Sequence, residues 1–204
     1  YNHADGTLLL STSTVRHNAA SSGGGLSNAG SGRIVNATLS GNQTPAAGLF
    51  QGGGLHNSGS LELQHVTIAE NTSAQGGGIY NLGNLRMENT LLADNHGDNC
   101  TAIPSLSLGN NLDSDASCGL DLGTDLIGVD AHLGRLGFYG GPTRTHSLLA
   151  GSPAIDRGRN LAAEGLGRDQ RGVVRPQGEE VDIGSYEREQ SSIVPMLVPL
   201  LLDG

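Results

Sequence analysis

The sequence has no tryptophan, and aromatic residues make up only 3% of its 204 positions. Basic residues are also scarce: 11 Lys plus Arg stand against 20 Asp plus Glu, which gives a formal net charge of −9. This balance argues against nucleic acid or an anionic membrane surface as a partner, because both attract basic proteins. Cysteine occurs only twice, which fits no zinc-site pattern. Glycine occurs 33 times, which argues against helical repeats.

Many of the glycines belong to a repeated phrase. A Gly-Gly-Gly triplet, an apolar residue, a variable residue and an asparagine recur at residues 23–28, 52–57 and 76–81. Each copy is followed by a glycine turn, a stretch of alternating apolar and polar residues, and a second asparagine. These second asparagines are Asn42, Asn71 and Asn95, with an earlier equivalent at Asn18. Repetition at this period is typical of a solenoid.

The spacing of the second asparagines gives the repeat length. Asn18 and Asn42 are 24 residues apart, Asn42 and Asn71 are 29 apart, and Asn71 and Asn95 are again 24 apart. One repeat is therefore 24 residues, and one copy carries an insertion of five. The insertion lies within residues 43–51, because this copy alone has a longer interval between its asparagine and the next glycine triplet.

The local period within a repeat favours strands over helices. Leu61 and Leu63 alternate with Glu62 and Gln64, and a period of two is typical of a β-strand. Gly, Asn and Ser separate these short stretches, and none of them favours helix. Repeats stacked at the usual strand spacing of about 4.8 Å align equivalent residues in columns. The sequence therefore predicts an all-β fold, a right-handed single-stranded parallel β-helix.

Superposing the repeats predicts which side chains fill the core. Three columns are apolar and should point inward: Val15, Leu39, Ile68 and Leu92; Leu26, Leu55 and Ile79; and Leu10, Ile34, Leu63 and Met87. An outward column of Arg33, Glu62 and Arg86 alternates in charge, as suits stacked residues on a solvated face. Thin coils leave little room for large side chains, in agreement with the scarcity of aromatic residues.

Two columns of asparagine are predicted to be structural. Asparagine tolerates left-handed backbone, and its amide can hydrogen-bond the equivalent amide one coil away. The predicted ladders are Asn18, Asn42, Asn71 and Asn95, and Asn28, Asn57 and Asn81. Asn-x-Ser/Thr triplets start at Asn36, Asn42, Asn71 and Asn99. Two of these four asparagines belong to a ladder, so glycosylation is only weakly indicated.

The two cysteines, Cys100 and Cys118, lie where the regular repeats end. They enclose a segment with loop chemistry and one more apolar alternation, at Leu106 and Leu108. We predict a disulfide between them, with free thiols as the alternative. The bond would contribute about 3 kcal/mol on the chain-entropy model and would imply an oxidising compartment.

From about residue 126 the composition changes, and the chain resembles a known family. The runs at residues 129–158 and 169–187, together with the glycine-rich coils and both cysteines, are similar to the choice-of-anchor Q proteins. These are bacterial surface or secreted β-helix proteins of the pectin-lyase-like class, often met beside polymorphic outer-membrane-protein repeats. The resemblance implies an extracellular β-helix joined to a variable anchoring device, and it provides no catalytic residues to carry over.

Charged residues in this C-terminal region are predicted to form a cap. They alternate in sign among Gly and Pro turns, and charge-assisted hydrogen bonds could fix such a segment over the last coil. The cap residues are Asp156, Asp169, Arg171, Arg175, Asp182 and Glu187, with Arg157 beside them. A catalytic set of carboxylates and arginines is the rival interpretation.

A carbohydrate-active enzyme is the main alternative function. A lyase would need acidic residues to hold Ca²⁺ and a base, and a glycosidase would need a carboxylate pair about 5–10 Å apart. Glu70 and Asp94, which share one column, are the candidate pair, whereas a strip of Phe50, His56 and Tyr80 could bind sugar. No cofactor is predicted otherwise.

Both ends of the chain suggest assembly. Tyr1 and Asn2 match Tyr80 and Asn81, so the chain begins inside a repeat: either further coils precede it, or processing leaves a first coil that is open for stacking. The apolar run at 193–202 is half of the ~20 residues that a membrane-spanning helix needs, and it contains two prolines. Docking on a neighbouring subunit by strand addition is favoured, with folding along its own solenoid and an export or anchoring signal as alternatives. The tail residues are Ile193, Val194, Met196, Leu197, Val198, Leu200, Leu201 and Leu202.

Together these patterns predict four regions: coils at 1–99, a disulfide-closed loop and last coil at 100–127, a capping region at 128–187 and a tail at 188–204. The expected function is a non-catalytic structural or adhesive element at a bacterial cell surface or outside the cell. Its expected partners are further copies of itself, neighbouring surface proteins or glycans. No nucleic acid and no transmembrane span are expected.

Overall fold

The computed structural model describes residues 1–45, 48, 50–102, 106–161 and 165–190, and these residues form strands, turns and loops without a helix. The chain is therefore all-β, as predicted. The described strands are β1 Thr7–Ser11, β2 Thr14–Arg16, β3 Leu26–Asn28, β4 Ser31–Ser40, β5 Leu55–Asn57, β6 Ser60–Ala69, β7 Ile79–Asn81, β8 Asn84–Glu88, β9 Leu91–Ala93, β10 Cys100–Ala102, β11 Leu106–Ser107, β12 Leu112–Asp113, β13 Leu126–Ile127, β14 Leu133–Gly137 and β15 Thr145–Leu148.

Two parallel sheets contain the strands of the repeats. A four-stranded sheet has the order β10-β7-β5-β3, and a nine-stranded sheet follows the path β1-β4-β6-β9-β12-β13, with β2, β8 and β11 beside it. The chain passes from one sheet to the other within each repeat, since β3, β5 and β7 precede β4, β6 and β8. Strands β14 and β15 form a separate antiparallel pair.

The strand register follows the spacing seen in the sequence. Hydrogen-bonded asparagines lie 24 residues apart for Asn18 and Asn42, 29 for Asn42 and Asn71, and 24 for Asn71 and Asn95. Backbone bridges place the insertion: Gln43 pairs with Ala19 and Gln51 pairs with Ser22 of the previous repeat, and the two glutamines are further apart in the sequence than their partners. The extra residues therefore lie between Gln43 and Gln51, as predicted.

The predicted inward columns pair in register. Leu39 pairs with Ile68, Ile68 with Leu92, and these three side chains are fully buried. The remaining members of the columns belong to the same hydrophobic cluster, with Leu10, Val15 and Leu26 of the first repeat only partly buried. The core is thus a stack of aliphatic layers, and its first layer is the least covered.

The disulfide lies at the other end of this core. Cys100 pairs with Ile79 and so continues the column of Leu26, Leu55 and Ile79. Its bond to Cys118 brings Cys118 and Leu120 into the hydrophobic cluster, where both are buried. The apolar alternation between the cysteines includes β11, whose Leu106 pairs with Arg86 of the outward column and is 54% exposed.

The C-terminal region does not close the last coil, which corrects the predicted cap. It lies along the outer face of the nine-stranded sheet and hydrogen-bonds to successive repeats, through Thr14, Thr38, Thr67, Asn89 and Asn110. The physical reason is that this outer face is itself apolar or weakly polar and needs a cover. Thr38, Thr67 and Leu91 form one outward column, and each is at most 2% exposed.

No helix among the described residues is long and apolar enough to cross a membrane. The predicted assembly tail, including Ile193 to Leu202, lies outside the described residues.

Candidate functional site

The first asparagine column is a buried chain of amide hydrogen bonds. The Nδ2 of Asn28 donates to the Oδ1 of Asn57 at 2.7 Å, and the Nδ2 of Asn57 donates to the Oδ1 of Asn81 at 2.8 Å. Asn2 extends the chain by donating to Asn28 at 2.7 Å. Asn57 is fully buried, and both its amide donor and its carbonyl acceptor are hydrogen-bonded within the column. This column therefore has a structural role.

The second column has the same arrangement. Asn18, Asn42 and Asn71 each donate to the side-chain oxygen of the next member at 3.0 Å, ending at Asn95. The same oxygens also accept from the preceding backbone N–H groups. The four asparagines of the glycosylation triplets are at most 6% exposed: Asn36, Asn42, Asn71 and Asn99. In the folded chain they are inaccessible to a glycosylating enzyme.

The predicted cap residues form a buried ionic network within the C-terminal region. Arg175 donates to the Glu187 carboxylate at 2.9 Å, and Arg171 donates to the Asp169 carboxylate at 2.8 Å. All four side chains are at most 1% exposed. The Asp182 carboxylate accepts hydrogen bonds from the backbone N–H groups of Asp156 and Arg188, which belong to different parts of the segment. The network therefore joins the turns of the segment, and its closure to solvent favours a structural role over catalysis.

Burial dominates the protonation of this network. It raises the pKa of Asp182 to about 7, and the charge of Glu187 adds to the shift, whereas the N–H groups of Arg188 and Asp156 oppose it. Burial likewise raises the pKa of Glu187, against the stabilising charge of Arg175. Burial lowers the pKa of Arg175, opposed by its carboxylate neighbours. These carboxyl groups therefore bind protons more tightly in the folded chain than in the unfolded one.

A cluster of buried hydroxyl groups, unnoticed in the sequence, attaches this segment to the repeats. The Oγ of Ser185 lies 2.9 Å from Thr38 Oγ1 and 3.0 Å from Thr67 Oγ1, with Thr145 Oγ1 also within 3.0 Å of Thr38. The available signal was the recurrence of Thr at equivalent positions, 38 and 67, on the face assigned to solvent. A second signal was the adjacent pair Leu91 and Leu92. Neighbouring residues of a strand point to opposite faces, so two adjacent leucines indicate a strand that is buried on both faces.

The corner column of Asn36, His65 and Asn89 is a second attachment site. All three residues have left-handed backbone, which Asn and His tolerate better than most residues. Asn89 hydrogen-bonds both the N–H and the carbonyl of Arg159, at 2.8 Å each. Burial, with Arg175 nearby, lowers the pKa of His65 well below its ordinary value, so this imidazole is neutral.

Glu70 and Asp94 remain the candidate acidic pair. Both are exposed and occupy equivalent left-handed corners of neighbouring repeats. Partial burial raises the pKa of Asp94, and Asp130 and Glu70 raise it further. Among the described residues no group of three or more His, Cys, Asp or Glu side chains has the geometry of a metal site.

The aromatic strip is brought together only in part. The rings of His56 and Tyr80 stack with centroids 5.6 Å apart and an interplanar angle of 11°. Burial lowers the pKa of His56, which favours its neutral imidazole. Phe50 instead lies at the end of the insertion, where its carbonyl accepts a hydrogen bond from Ser73.

A scan against protein-family models finds no match to the chain, and searches of the curated proteins and of the solved structures find none either. The resemblance to the choice-of-anchor Q proteins therefore stays a prediction from sequence motifs. Function has to be argued from the geometry of the described residues.

Proposed function

We propose that the protein is a non-catalytic structural or adhesive element of a bacterial cell surface or its exterior, a member of the choice-of-anchor Q group. Its fold in this proposal is a right-handed single-stranded parallel β-helix, with residues 128–187 as a lateral cover. The in-register pairing of successive repeats supports this architecture, and right-handed crossovers are nearly universal between parallel strands. The disulfide fits an oxidising, extracellular compartment.

The observation that carries the proposal is the open edge at the first repeat. Among the described residues, strand β1 ends the nine-stranded path and pairs with β4 on one side only, whereas β3 pairs with β5 and is bridged by Asn2 on its other side. The core behind them is also incompletely covered, since Leu10, Val15 and Leu26 are partly exposed. An edge of this kind recruits another strand. We propose that copies of this chain join end to end through it.

The C-terminal tail is the proposed donor of that strand. Its prolines, Pro195 and Pro199, are four positions apart, so in an extended strand they would lie along the same edge. The N–H groups of Val194, Met196 and Val198 would lie along the opposite edge. A strand of this sequence can therefore pair on one side and is blocked on the other, as an added edge strand requires.

A substitution in β1 tests this proposal. Gly6 O accepts from Ser31 N and Thr12 N donates to Val35 O, so the even-numbered positions face β4 and the N–H of Leu9 faces the open edge. Leu9→Pro should remove an edge donor without losing an internal hydrogen bond. We expect the weight-average mass measured by light scattering to fall towards the monomer in Leu9→Pro and in a chain ending at residue 190.

Leu9→Ala is the matched control, because it shortens the same exposed side chain but keeps the N–H group. Its association should equal that of the unmodified chain. If Leu9→Pro and the shortened chain both keep the mass of the unmodified protein, the assembly proposal is wrong.

A carbohydrate-active enzyme is the second candidate function, favoured by the raised pKa of Asp94 beside Glu70. A carboxyl group whose pKa is raised beside a second carboxyl group is a feature of a general acid and its partner. The test is incubation with a panel of acidic and neutral polysaccharides, with and without Ca²⁺. Turnover that disappears in both Glu70→Ala and Asp94→Ala would replace the structural proposal.

A further inference from the structure

A polar cavity of about 370 Å³ lies between the C-terminal region and the last repeats. Its lining includes Asn110, Thr124, Asp156, Arg157, Arg159 and Glu180. We infer that this cavity, here called the lateral cavity, binds a neutral saccharide unit. The volume falls in the range of small-molecule sites. The cavity adjoins β12 and β13, at the opposite end of the nine-stranded path from β1, so the inference does not depend on end-to-end assembly.

The backbone that presents the two arginines is fixed at consecutive residues. Gly158 N donates to Val181 O at 2.7 Å, and Arg159 N donates to Asn89 Oδ1 at 2.8 Å. The carbonyl of Arg157 accepts from Asn110 Nδ2 at 2.9 Å, which ties both walls of the cavity together. Glycine is required at position 158, because a Cβ there would lie 2.8 Å from Val181 Cγ2. A wall held in this way loses little conformational entropy when a ligand binds.

The charges of the lining decide the class of ligand. Asp156 and Glu180 bring two carboxylates, and Arg157 brings an exposed guanidinium, whereas Arg159 is already paired with Glu88 at 2.5 Å. An anion would meet the two carboxylates and a cation would meet Arg157. An apolar ligand would remove water from all of them without replacing its hydrogen bonds.

A neutral polyhydroxyl compound fits both kinds of group. Each hydroxyl donates to a carboxylate oxygen and accepts from a guanidinium or hydroxyl donor. Thr124 Oγ1 already accepts from Asn110 N, so its own hydrogen is available to a ligand oxygen. Among the described residues that line the cavity there is no aromatic or large aliphatic side chain. Recognition would therefore be by hydrogen bonds, without stacking on a ring.

Saturation-transfer NMR on the full chain tests the inference. The probes are the neutral sugars D-glucose, D-galactose and D-mannose, with D-galacturonate as the anionic probe. We expect transfer to at least one neutral sugar, and an affinity about tenfold lower in Arg157→Ala, as loss of a charge-assisted hydrogen bond predicts. Thr124→Val should lower the affinity for the same sugar.

Arg135→Ala is the matched control, since Arg135 is also exposed but lies on β14, outside the cavity. It should leave the affinity unchanged. Three results would overturn the inference: no transfer to any neutral sugar, transfer to galacturonate alone, or equal affinities in Arg157→Ala and Arg135→Ala. Loss of self-association in Leu9→Pro would leave sugar binding intact, so the two proposals fail separately.

Discussion

A buried asparagine in the ladders has its amide donor and its carbonyl acceptor bonded to equivalent residues one repeat before and one repeat after. Inside a protein such a group is costly when unpaired and only modestly favourable when paired. The ladders therefore specify register: a strand that slipped by one residue would leave several buried amides without partners. Their contribution is to align the repeats.

Asn57→Ala tests the cost of one member of a ladder. The change removes the amide hydrogen bonds to Asn28 and Asn81, so that the buried Asn28 Nδ2 keeps only backbone carbonyl partners such as Gly30 O and the buried Asn81 Oδ1 keeps Gly83 N. We expect the free energy of unfolding, measured by urea denaturation, to fall by about 2–4 kcal/mol. Asn84→Ala, an exposed position on β8, should change it by less than about 0.5 kcal/mol. Equal effects at the two positions would contradict the role of the ladder.

Asp182 gives the stability a defined pH dependence. Its pKa is about 7 in the folded chain against an ordinary value of 3.8, so the folded state holds the proton more tightly. The contribution of this carboxyl is fully present below pH 3.8 and is lost as the pH rises towards 7. Between these limits the unfolding free energy should decline less with pH in Asp182→Asn than in the unmodified chain. Parallel pH profiles from chemical denaturation would refute this assignment.

At the scale of elements, strands β6 and β9 bury both of their faces. Inward they pack in the aliphatic core, and outward Thr67 and Leu91 contact the C-terminal region. Among the described residues the lateral cover is held by side-chain hydrogen bonds, by its own ionic network and by an apolar cluster in which Ala154 and Ile183 join Leu91, with no strand pairing to the repeats. Its stability should therefore depend on a few buried polar groups.

Arg175→Met tests this dependence. Arg175 bonds the Glu187 carboxylate and the carbonyls of Asp182 and Gly184, all of them buried. Removing one partner of a buried ion pair typically costs about 3–5 kcal/mol. We expect a loss of this size, with faster amide hydrogen exchange in residues 165–190 than in β6. Arg135→Met, at an exposed position, should leave both measurements unchanged.

The disulfide should stabilise the opposite end of the core from the open edge. It joins residues 18 apart in the sequence, and closing a loop of this length is worth about 3 kcal/mol on the chain-entropy model. The double variant Cys100→Ser and Cys118→Ser should unfold at correspondingly lower urea concentration. A reductant should have no further effect on it, whereas the unmodified chain should respond. An unmodified chain insensitive to reductant would contradict a stabilising bond.

Repetition made the coil pattern predictable from the sequence, and the C-terminal region lacked such a guide. Leu39, Ile68 and Leu92 could be aligned because the same pattern recurs in each repeat. The insertion before Gln51 followed from the longer interval between one asparagine and the next glycine triplet. The position of the lateral cover could not be predicted, because its contacts join residues far apart in the sequence, 47 positions for Asn110 with Arg157 and 147 for Thr38 with Ser185, without local periodicity. The lateral cavity depends on the same long-range contacts.

At the scale of the molecule, the two ends of the stacked repeats differ. Cys118 and Leu120 cover the core at the disulfide end, while at the other end of the described repeats β1 pairs on one side only and Leu10 and Leu26 are partly buried. Addition of the tail of one copy to the β1 edge of another would join copies in a fixed direction. We therefore predict a polar, head-to-tail assembly in which a tail strand of one copy pairs with β1 of the next.

Cryo-electron microscopy of the full chain tests that claim most directly. We expect particles joined in line, with density for an added strand on β1 at the usual strand spacing of about 4.8 Å and with that strand traceable to the tail of the neighbouring copy. Separate single particles at every concentration, with β1 unpaired, would contradict the account.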